Sequence, residues 1–539
     1  MEPTRPGSAC EECRRRKVRC DRGRPQCQVC FENGIECKIN TTRLPRGPRK
    51  GQLRTLRTRI AALERCLADQ HPEINHQMTG LFDPPVLDYD ADEDLFREIQ
   101  VPPDSVAEPL GDGSPSESKI TASPSQKIRR NELVTDLMRA DLDQLYFERV
   151  HSFAPILQRW RYYLWAKQPK KCDSQICLQY AMWTLAASMS AQFQAIHDAL
   201  YQETRRMLDA LDLWCSHIDR ITTEQAQAWV LISVYEYMHV SYQQAWISTG
   251  RCCRLVLGMR LYELDDPSGG PVTMAHNHDS GQVDWAAMEE QRRTFWMAYS
   301  LDRFISFHSS LPFTLNEQLI STRLPSPEEE FQAGQPVVSC YLSEVLGRGI
   351  DGPSSAVTSS FGECIIVATI CGRALSHRQK VAIEQANGDI FDGFWSRHQW
   401  LHDVLSHRIQ VLSSSLYADP MLIFARIVAQ TMVLFLHNIL ESIIWKTGDH
   451  LLKLIECERL SVLAVHEVLG LLKLQAQLGY FKVHPLTSIP LLMCTEFFSA
   501  HSYLDPSFDF MLQEVLECLQ DLDRVKNSDM SPSPNTPAS

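Results

Sequence analysis

The chain has 539 residues, 44% hydrophobic and 22% charged, which excludes a wholly disordered or fibrous protein and predicts a small module joined to a larger globular body. Its formal net charge of −13 at pH 7 is unevenly divided, because residues 1–65 carry 17 Lys and Arg against 7 Asp and Glu. A basic head on an acidic body indicates that nucleic acid binds at one end and protein partners bind at the other.

The first predicted element is a cysteine cluster, in which the spacing of three cysteines recurs 17 residues later. The repeat consists of Cys10, Cys13 and Cys20, followed by Cys27, Cys30 and Cys37. Zinc takes four ligands in a structural thiolate site, so six cysteines can serve two zinc ions only if two of them bridge both metals. No signal peptide precedes the cysteines, and the strict repeat favours a structural zinc cluster over a disulfide scaffold or unpaired thiols.

The segment between the second and third cysteines, RRRKVR, is strongly basic. Its cations are Arg14, Arg15, Arg16, Lys17 and Arg19. They should stabilise a cluster in which six thiolates outweigh the charge of two zinc ions. The corresponding segment of the second repeat, FENGIE, carries Glu32 and Glu36 instead. Only the first half of the module is therefore built to face a polyanion.

The cysteine spacing and the basic first segment resemble the fungal zinc binuclear cluster family of transcription factors, with residues 7–40 as the DNA-binding domain. The resemblance implies that Cys10 and Cys27 are the bridging thiolates. The remaining ligands would be Cys13 and Cys20 for one zinc ion and Cys30 and Cys37 for the other.

The residue three before the third cysteine, which contacts bases in that family, is Lys17 in this chain, with Arg16 beside it. The resemblance therefore implies that Lys17 contacts a CGG-type triplet, whose guanines present O6 and N7 acceptors that a Lys ammonium can meet. Arg14 and Arg19 flank the cysteines and are better placed for phosphates.

Residues 41–52 form a basic linker in which prolines and glycines argue against a helix. We expect this linker to run extended along the DNA backbone. There Arg46, Arg49 and Lys50 would add affinity that does not depend on sequence.

Residues 53–68 carry an apolar seam with the alternating spacing of three and four that is typical of a heptad repeat. The seam consists of Leu53, Leu56, Ile60, Leu63 and Leu67. Two heptads are short for an isolated helix, so a short amphipathic helix on the body is one interpretation. The resemblance favours the other, a coiled coil that dimerises the chain, because the family places one directly after the linker.

Residues 69–130 lack sustained periodicity and are rich in Pro, Asp and Ser, which predicts a disordered linker, and residues 527–539 are predicted to be a disordered tail. Within the linker, Leu81–Glu98 interleaves acids with aromatic and aliphatic residues, as activation segments do, although a solvated acidic linker has the same composition. Ser507–Asp523 shows the same pattern and is either an activation segment or a packed terminal helix.

Residues 131–526 are predicted to form an all-helical body, since long proline-free stretches are rich in Ala, Leu, Met and Gln. The clearest helices are Ile176–Met189, Glu224–Val240, Trp246–Leu261 and Met288–Phe307. Polar residues interrupt the most apolar run, Met421 to Trp445, so it is interpreted as a buried helix and not as a membrane span. Four tryptophans are expected in the core, namely Trp183, Trp229, Trp246 and Trp296.

This body resembles the all-helical regulatory domain that follows many fungal zinc clusters. The likeness rests on Glu289–Arg303, Pro312 and Thr322–Pro325, with Ser310-Leu311-Pro312 in place of the usual Gly-x-Pro. Arg149–Leu157 and Phe394–Leu401 resemble the branch that includes regulators of secondary-metabolite gene clusters.

These features predict a mainly α protein with a two-zinc module, a short coiled coil, a disordered linker and a large all-α regulatory domain. The expected function is a nuclear, sequence-specific regulator of RNA polymerase II transcription, more an activator than a repressor. We expect it to bind double-stranded DNA as a homodimer and to contact the transcription machinery or coactivators, with no membrane association and no catalysis.

Two alternatives stay open at this point. The first is a regulator that acts through protein contacts of the body, with weak or no sequence-specific DNA binding. The second is an enzyme that carries a zinc module, which would be indicated by a pocket that gathers polar groups with perturbed pKa values.

Overall fold

The structure is a computed structural model that describes the body from residue 133 to residue 526, with gaps at 215–219, 267–283, 348–358, 388–392, 415–418, 444, 446–450, 479–482 and 502–506. Near the N terminus it describes residues 13, 16, 19–21, 23, 26–34 and 37. The chain divides into two compact units, Met1–Leu110 and Gly111–Ser539. The predicted basic linker, coiled coil, disordered linker and tail lie outside the described residues, as does the acidic segment Leu81–Glu98.

The described elements are almost all helices, which confirms the predicted fold class. Helix α1 (Gln28–Glu32) belongs to the first unit. The second unit contains α2 (Asp136–Leu145), α3 (Arg159–Ala166), α4 (Asp173–Ser188), α5 (His197–Trp214), α6 (Thr223–His239), α7 (Tyr242–Gly258), α8 (Trp285–His308), α9 (Glu328–Ala333), α10 (Leu342–Gly347), α11 (Ser360–Asn387), α12 (Phe394–Ser414), α13 (Pro420–Glu441), α14 (Leu451–Leu478), α15 (Ser488–His501) and α16 (Ser507–Lys526). Within the described ranges, β pairing is confined to one isolated bridge between Arg323 and Tyr341.

Several helices begin at a side chain that caps the first turn. Thr222, Ser241 and Asp284 precede α6, α7 and α8, and each accepts a hydrogen bond from the backbone N–H three residues further on. Asp419 caps α13, and Pro420 occupies its first position, where the missing N–H costs nothing. These polar first turns fix where the apolar helices of the body start.

All four predicted helices are present, but three of them begin earlier than predicted. Helices α4 and α8 each begin three residues before the predicted start, and α7 begins four residues earlier and ends three residues earlier than predicted. The apolar pattern did not detect the first turns of these helices. Helix α7 ends early because Arg260 adopts a left-handed conformation with φ 56°.

Three of the four tryptophans predicted for the core are buried, whereas the prediction for Trp246 is wrong. Trp183, Trp229 and Trp296 are at most 3% exposed, and Trp246 is 39% exposed. The face of α7 that packs inward consists mostly of small residues: Ala245, Ser248, Thr249, Cys252, Cys253 and Val256. Because these residues bring α7 close to α6 and α8, the bulkier Trp246 is left on the outer face.

A large hydrophobic core runs through the body from α2 to α13 and includes Ile489 at the start of α15. The core contains a series of helices in which each packs against the next, namely α4, α6, α7, α8, α11 and α13. Helix α13 covers most of the run Met421–Trp445 that was predicted to be a buried helix. It is long and apolar enough to cross a membrane, but 78% of its most apolar window is buried inside the protein, which confirms that prediction.

A second, smaller core joins α13, α14, α15 and α16. Phe508 and Val515 of α16 are buried in it, and further apolar residues of the same helix pack against it. Of the two interpretations of Ser507–Asp523, the packed terminal helix is therefore the one that the structure favours.

Helix α8 carries a fully buried ion pair between Glu289 and Arg293, whose side chains are each 1% exposed. Arg293 donates to the carbonyl oxygens of Pro155 (2.9 Å) and Ser326 (2.7 Å) and to Glu328 (2.6 Å), besides Glu289 (3.1 Å). Glu289 in turn accepts from the backbone N–H of Ser326 at 2.9 Å. One guanidinium thus ties the chain segments around residues 155 and 326 to the same helix.

The far end of α8 is fixed by Asp302 and by an unusual serine. Asp302 accepts hydrogen bonds from the backbone N–H groups of Thr314 (3.1 Å) and Leu315 (2.9 Å). Ser310 adopts the left-handed conformation with φ 58°, and Leu311 donates to the Ser306 carbonyl at 3.0 Å, as in a Schellman helix end. Serine here takes the conformation for which the family's glycine is suited.

We predict that Arg293→Lys destabilises the body by about 3–5 kcal/mol, since a lysine cannot reach all the acceptors and leaves Glu289 buried without its full partner. Thermal and denaturant unfolding of the full chain would measure the loss. Arg206→Lys, in a solvent-exposed pair with Glu203, is the matched control and should leave stability nearly unchanged. Equal effects of the two substitutions would contradict the structural role of Arg293.

Candidate metal centre and nucleic-acid interface

Three cysteine thiols of the N-terminal unit converge on one point. Cys13, Cys27 and Cys30 are each 1% exposed, and their sulfur atoms all lie within 4.8 Å of one another. The Sγ atoms of Cys13 and Cys27 are 3.7 Å apart, which is too far for a disulfide bond. Two thiolates on one tetrahedral zinc ion, with Zn–S near 2.3 Å, lie about 3.8 Å apart, so this spacing fits a shared metal.

Cys27 also belongs to a second group, with Cys20 and Asp21, whose ligand atoms again lie within 4.8 Å of one another. It is the described thiol that both groups share, as a bridging ligand must be. Cys20 and Cys37 are partly exposed and pack against the buried three. Cys10, the other predicted bridge, lies outside the described residues.

Local structure explains how Cys27 and Cys30 come to lie together. Cys27 precedes α1 in an extended conformation, and its carbonyl oxygen accepts from the backbone N–H groups of Cys30 and the following residue. The carboxylate of Asp21 accepts from the backbone N–H of Gln28 at 3.1 Å and so caps α1 from a distance in sequence. Gly34, which follows the C-cap residue of α1, adopts the left-handed conformation with φ 62°, as glycine commonly does after a helix end.

Among the described residues near the N terminus, Asp21 has a role that was not anticipated from the sequence. An aspartate directly after a cysteine gave no reason to expect that it would cap a helix seven residues later. Its negative charge beside Cys20 and Cys27 adds to the need for a cation at this point.

Two of the predicted DNA contacts, Arg16 and Arg19, are described, and both are exposed. Arg14, Arg15 and Lys17 lie outside the described residues, as do the predicted linker and dimerisation residues. These are Arg46, Arg49 and Lys50, and Leu53, Leu56, Ile60, Leu63 and Leu67.

The body contains a cavity of about 900 Å³ between α11, α12 and the segment that follows α8. Its wall includes His377, Arg373 and Arg397. Burial, aided by the charge of Arg397, lowers the pKa of His377 to about 4, so this ring is neutral at physiological pH. Arg373 pairs with Glu317 and Arg397 pairs with Glu384, so the two guanidinium charges are neutralised by the protein itself. One histidine with a lowered pKa, beside arginines that are already paired with carboxylates, does not make an acid–base site.

Comparison with known families matches both parts of the chain. Residues 8–47 match the fungal Zn(2)-Cys(6) binuclear cluster domain, and residues 144–339 match the fungal specific transcription factor domain. No solved structure matches the chain.

Among curated relatives, the chain is similar along its length to the citrinin biosynthesis transcriptional activator ctnR of Monascus purpureus, with 41% identity over 98% of this chain and 92% of that protein. It is 40% identical to the pigment biosynthesis transcriptional activator pigB of Monascus ruber, over 97% of this chain and 92% of the relative. The azaphilone cluster-specific transcription factor azaR of Aspergillus niger is 41% identical over 82% of this chain and 88% of its own length.

We predict that Cys27→Ala damages metal binding more than Cys13→Ala, because a bridging thiolate serves both ions. With Co²⁺ in place of zinc, thiolate-to-metal charge-transfer absorption reports the thiolate sites alone. Cys13→Ala should keep a substantial part of this absorption, and Cys27→Ala should lose nearly all of it. Cys172→Ala, which removes an exposed thiol of the body, is the control. Equal losses for Cys13→Ala and Cys27→Ala would rule out the bridged arrangement.

Proposed function

Because the chain belongs to the fungal zinc binuclear cluster family of transcription factors, we propose that it activates the genes of one secondary-metabolite biosynthetic cluster. The family consists of transcription factors and not enzymes, which removes the enzyme alternative. The named relatives are transcriptional activators of citrinin and pigment biosynthesis and an azaphilone cluster-specific transcription factor, and their similarity over most of the chain supports this proposal. The protein would act in the nucleus on RNA polymerase II promoters.

The structural observation that carries the proposal concerns Cys27. Its thiol belongs to both groups of metal-ligating atoms described above for the N-terminal unit. We infer that two zinc ions are held by the six thiolates of Cys10, Cys13, Cys20, Cys27, Cys30 and Cys37. Zinc in such a site has every position filled by sulfur, so it holds the loops of the module in place and performs no chemistry. The module folds only when its thiols are deprotonated and bound.

DNA recognition is proposed to divide between two kinds of contact. Lys17, with Arg16 beside it, would read the guanines of a CGG-type half-site in the major groove. Contacts to the phosphates would come from Arg14, Arg19, Arg46, Arg49 and Lys50. The exposure of Arg16 and Arg19 is compatible with this division.

Two copies of the chain are proposed to bind two half-sites through the apolar seam at residues 53–68. Joining two modules raises the effective concentration of the second at its half-site, so a short and individually weak coiled coil is sufficient. Activation through the transcription machinery or coactivators would then fall to the acidic segment Leu81–Glu98, since Phe508 and Val515 hold the C-terminal helix in the core.

We predict that Lys17→Ala weakens binding to a CGG half-site by roughly 1–3 kcal/mol and relaxes the preference for guanine. Arg19→Ala should weaken binding to every sequence alike and lower the slope of log affinity against log salt by about one. Fluorescence anisotropy with cognate and scrambled duplexes at several salt concentrations separates the two effects. An unchanged ratio of cognate to scrambled affinity in Lys17→Ala would favour a regulator that acts through protein contacts instead.

We also predict that Leu56→Asn with Leu63→Asn weakens binding to DNA with two half-sites and leaves binding to a single half-site unchanged. The substitutions remove the seam but leave the zinc module and its base contacts intact. Thr58→Asn, on the opposite face of the same predicted helix, is the matched control. A parallel loss on both DNAs, or no loss on either, would show that the seam does not dimerise the chain.

A further inference from the structure

A second cluster of metal-ligating side chains lies in the helical body, far in sequence from the cysteines. His437 and Glu441 stand one turn apart on α13, and His501 is the last residue of α15. Their ligand atoms all lie within 4.8 Å of one another. The Oε1 atom of Glu441 is 3.3 Å from Nε2 of His437 and 3.0 Å from Nε2 of His501.

The hydrogen bonding of His501 decides which of its nitrogens can bind a ligand. Its Nδ1 lies 2.8 Å from the backbone carbonyl oxygen of Phe497, which can only accept, so Nδ1 carries the proton. In the neutral ring Nε2 then presents its lone pair to the carboxylate of Glu441. Two acceptors at 3.0 Å repel each other unless a proton or a metal ion lies between them.

A proton between His501 and Glu441 would still leave the other histidine of the cluster, His437, without a hydrogen bond. This ring is 2% exposed, and although its Nε2 lies 3.3 Å from Oε1 of Glu441, neither of its nitrogens makes a well-aligned hydrogen bond within the described part of the chain. A buried imidazole without a partner is costly, and a cation shared with Glu441 and His501 would satisfy its Nε2.

The surroundings hold the two rings in place. Phe497 stacks on the His501 ring, with centroids 4.3 Å apart, and meets His437 edge-on at 6.0 Å. The Glu441 side chain is 38% exposed, which leaves a route from solvent to the ligand atoms.

We propose that His437, Glu441 and His501 bind one divalent transition-metal ion, for which Zn²⁺ is the best match to two imidazoles and one carboxylate. Ligands about 2.0–2.1 Å from a tetrahedral zinc ion lie about 3.3 Å from one another, close to the distances from Glu441 to the two rings. Water would take the fourth position. The ion joins α13 to α15 within the smaller core, and the proposal is independent of how the chain binds DNA.

The test compares the full-length wild-type chain with Glu441→Gln, which keeps the size of the side chain and its exposed position but removes the carboxylate ligand. After equilibration with Zn²⁺ and removal of free metal, elemental analysis should give one zinc per chain fewer for the variant. Added Zn²⁺ should raise the thermal midpoint of the wild-type body and not that of Glu441→Gln. His501→Gln should behave like Glu441→Gln.

His466→Ala is the matched control, because His466 also places Nδ1 against the carbonyl oxygen four residues earlier (2.8 Å) but is exposed on α14. It should keep the full zinc content. The charge-transfer absorption of the Co²⁺-loaded cysteine cluster should be the same in all of these chains, so a defect of the cluster cannot imitate loss of the second site. Equal zinc content in wild type and Glu441→Gln, with folding intact, overturns the proposal and assigns the cluster to a protonated His501 paired with Glu441.

Discussion

The body depends on the burial of the Arg293 guanidinium in helix α8. Taking such a charge out of water costs several kcal/mol, and only a complete set of hydrogen bonds offsets that cost. Arg293 finds its acceptors on Glu289, on two backbone carbonyls and on Glu328, and it stacks 3.9 Å above the ring of Phe331. Since the acceptors come from segments more than a hundred residues apart, the charge can be buried only when those segments are correctly placed. The pair therefore selects one arrangement of the chain.

The same device recurs at the other end of α8, which makes this helix the frame of the domain. Arg303 donates to the Leu315 carbonyl at 2.7 Å and lies between the rings of Tyr299 and Phe313, each 4.3 Å away. Gly372 of α11 packs against it so closely that an added Cβ would lie 2.7 Å from the arginine side chain. Two groups of buried charged residues in one core helix, Glu289 with Arg293 and Asp302 with Arg303, look unfavourable in the sequence. They become favourable only through partners on the loops and helices that they hold.

A feature of the fold could be predicted from the sequence when residues close to it in the chain determine it. The cysteine repeat and helix α6 depend on local spacing and composition: the repeat lies inside the matched zinc cluster domain, and both ends of α6 fall within one residue of the prediction. The prediction for Trp246 was wrong because small residues form the inward face of α7 and pack on its neighbours. From the sequence alone, the large apolar side chain of Trp246 seemed the better candidate for the core. The acceptors of Arg293 could not be anticipated, since a buried arginine and a surface arginine read alike in one sequence.

The two metal sites also differ in how far apart in sequence their ligands lie, and so metal acts on each site in a different way. All ligands of the cysteine cluster lie within 28 residues of sequence, so zinc can organise that module by itself. His501 lies 60 residues beyond Glu441 and reaches it only after α15 has packed on α13. An ion held there binds the folded body alone and stabilises it by about 2.7 kcal/mol when the free metal is a hundredfold above its Kd. Metal supply would then act on the two units through separate equilibria: one sets whether the module that reads DNA is folded, and the other sets how firmly α15 and α16 are held in the smaller core.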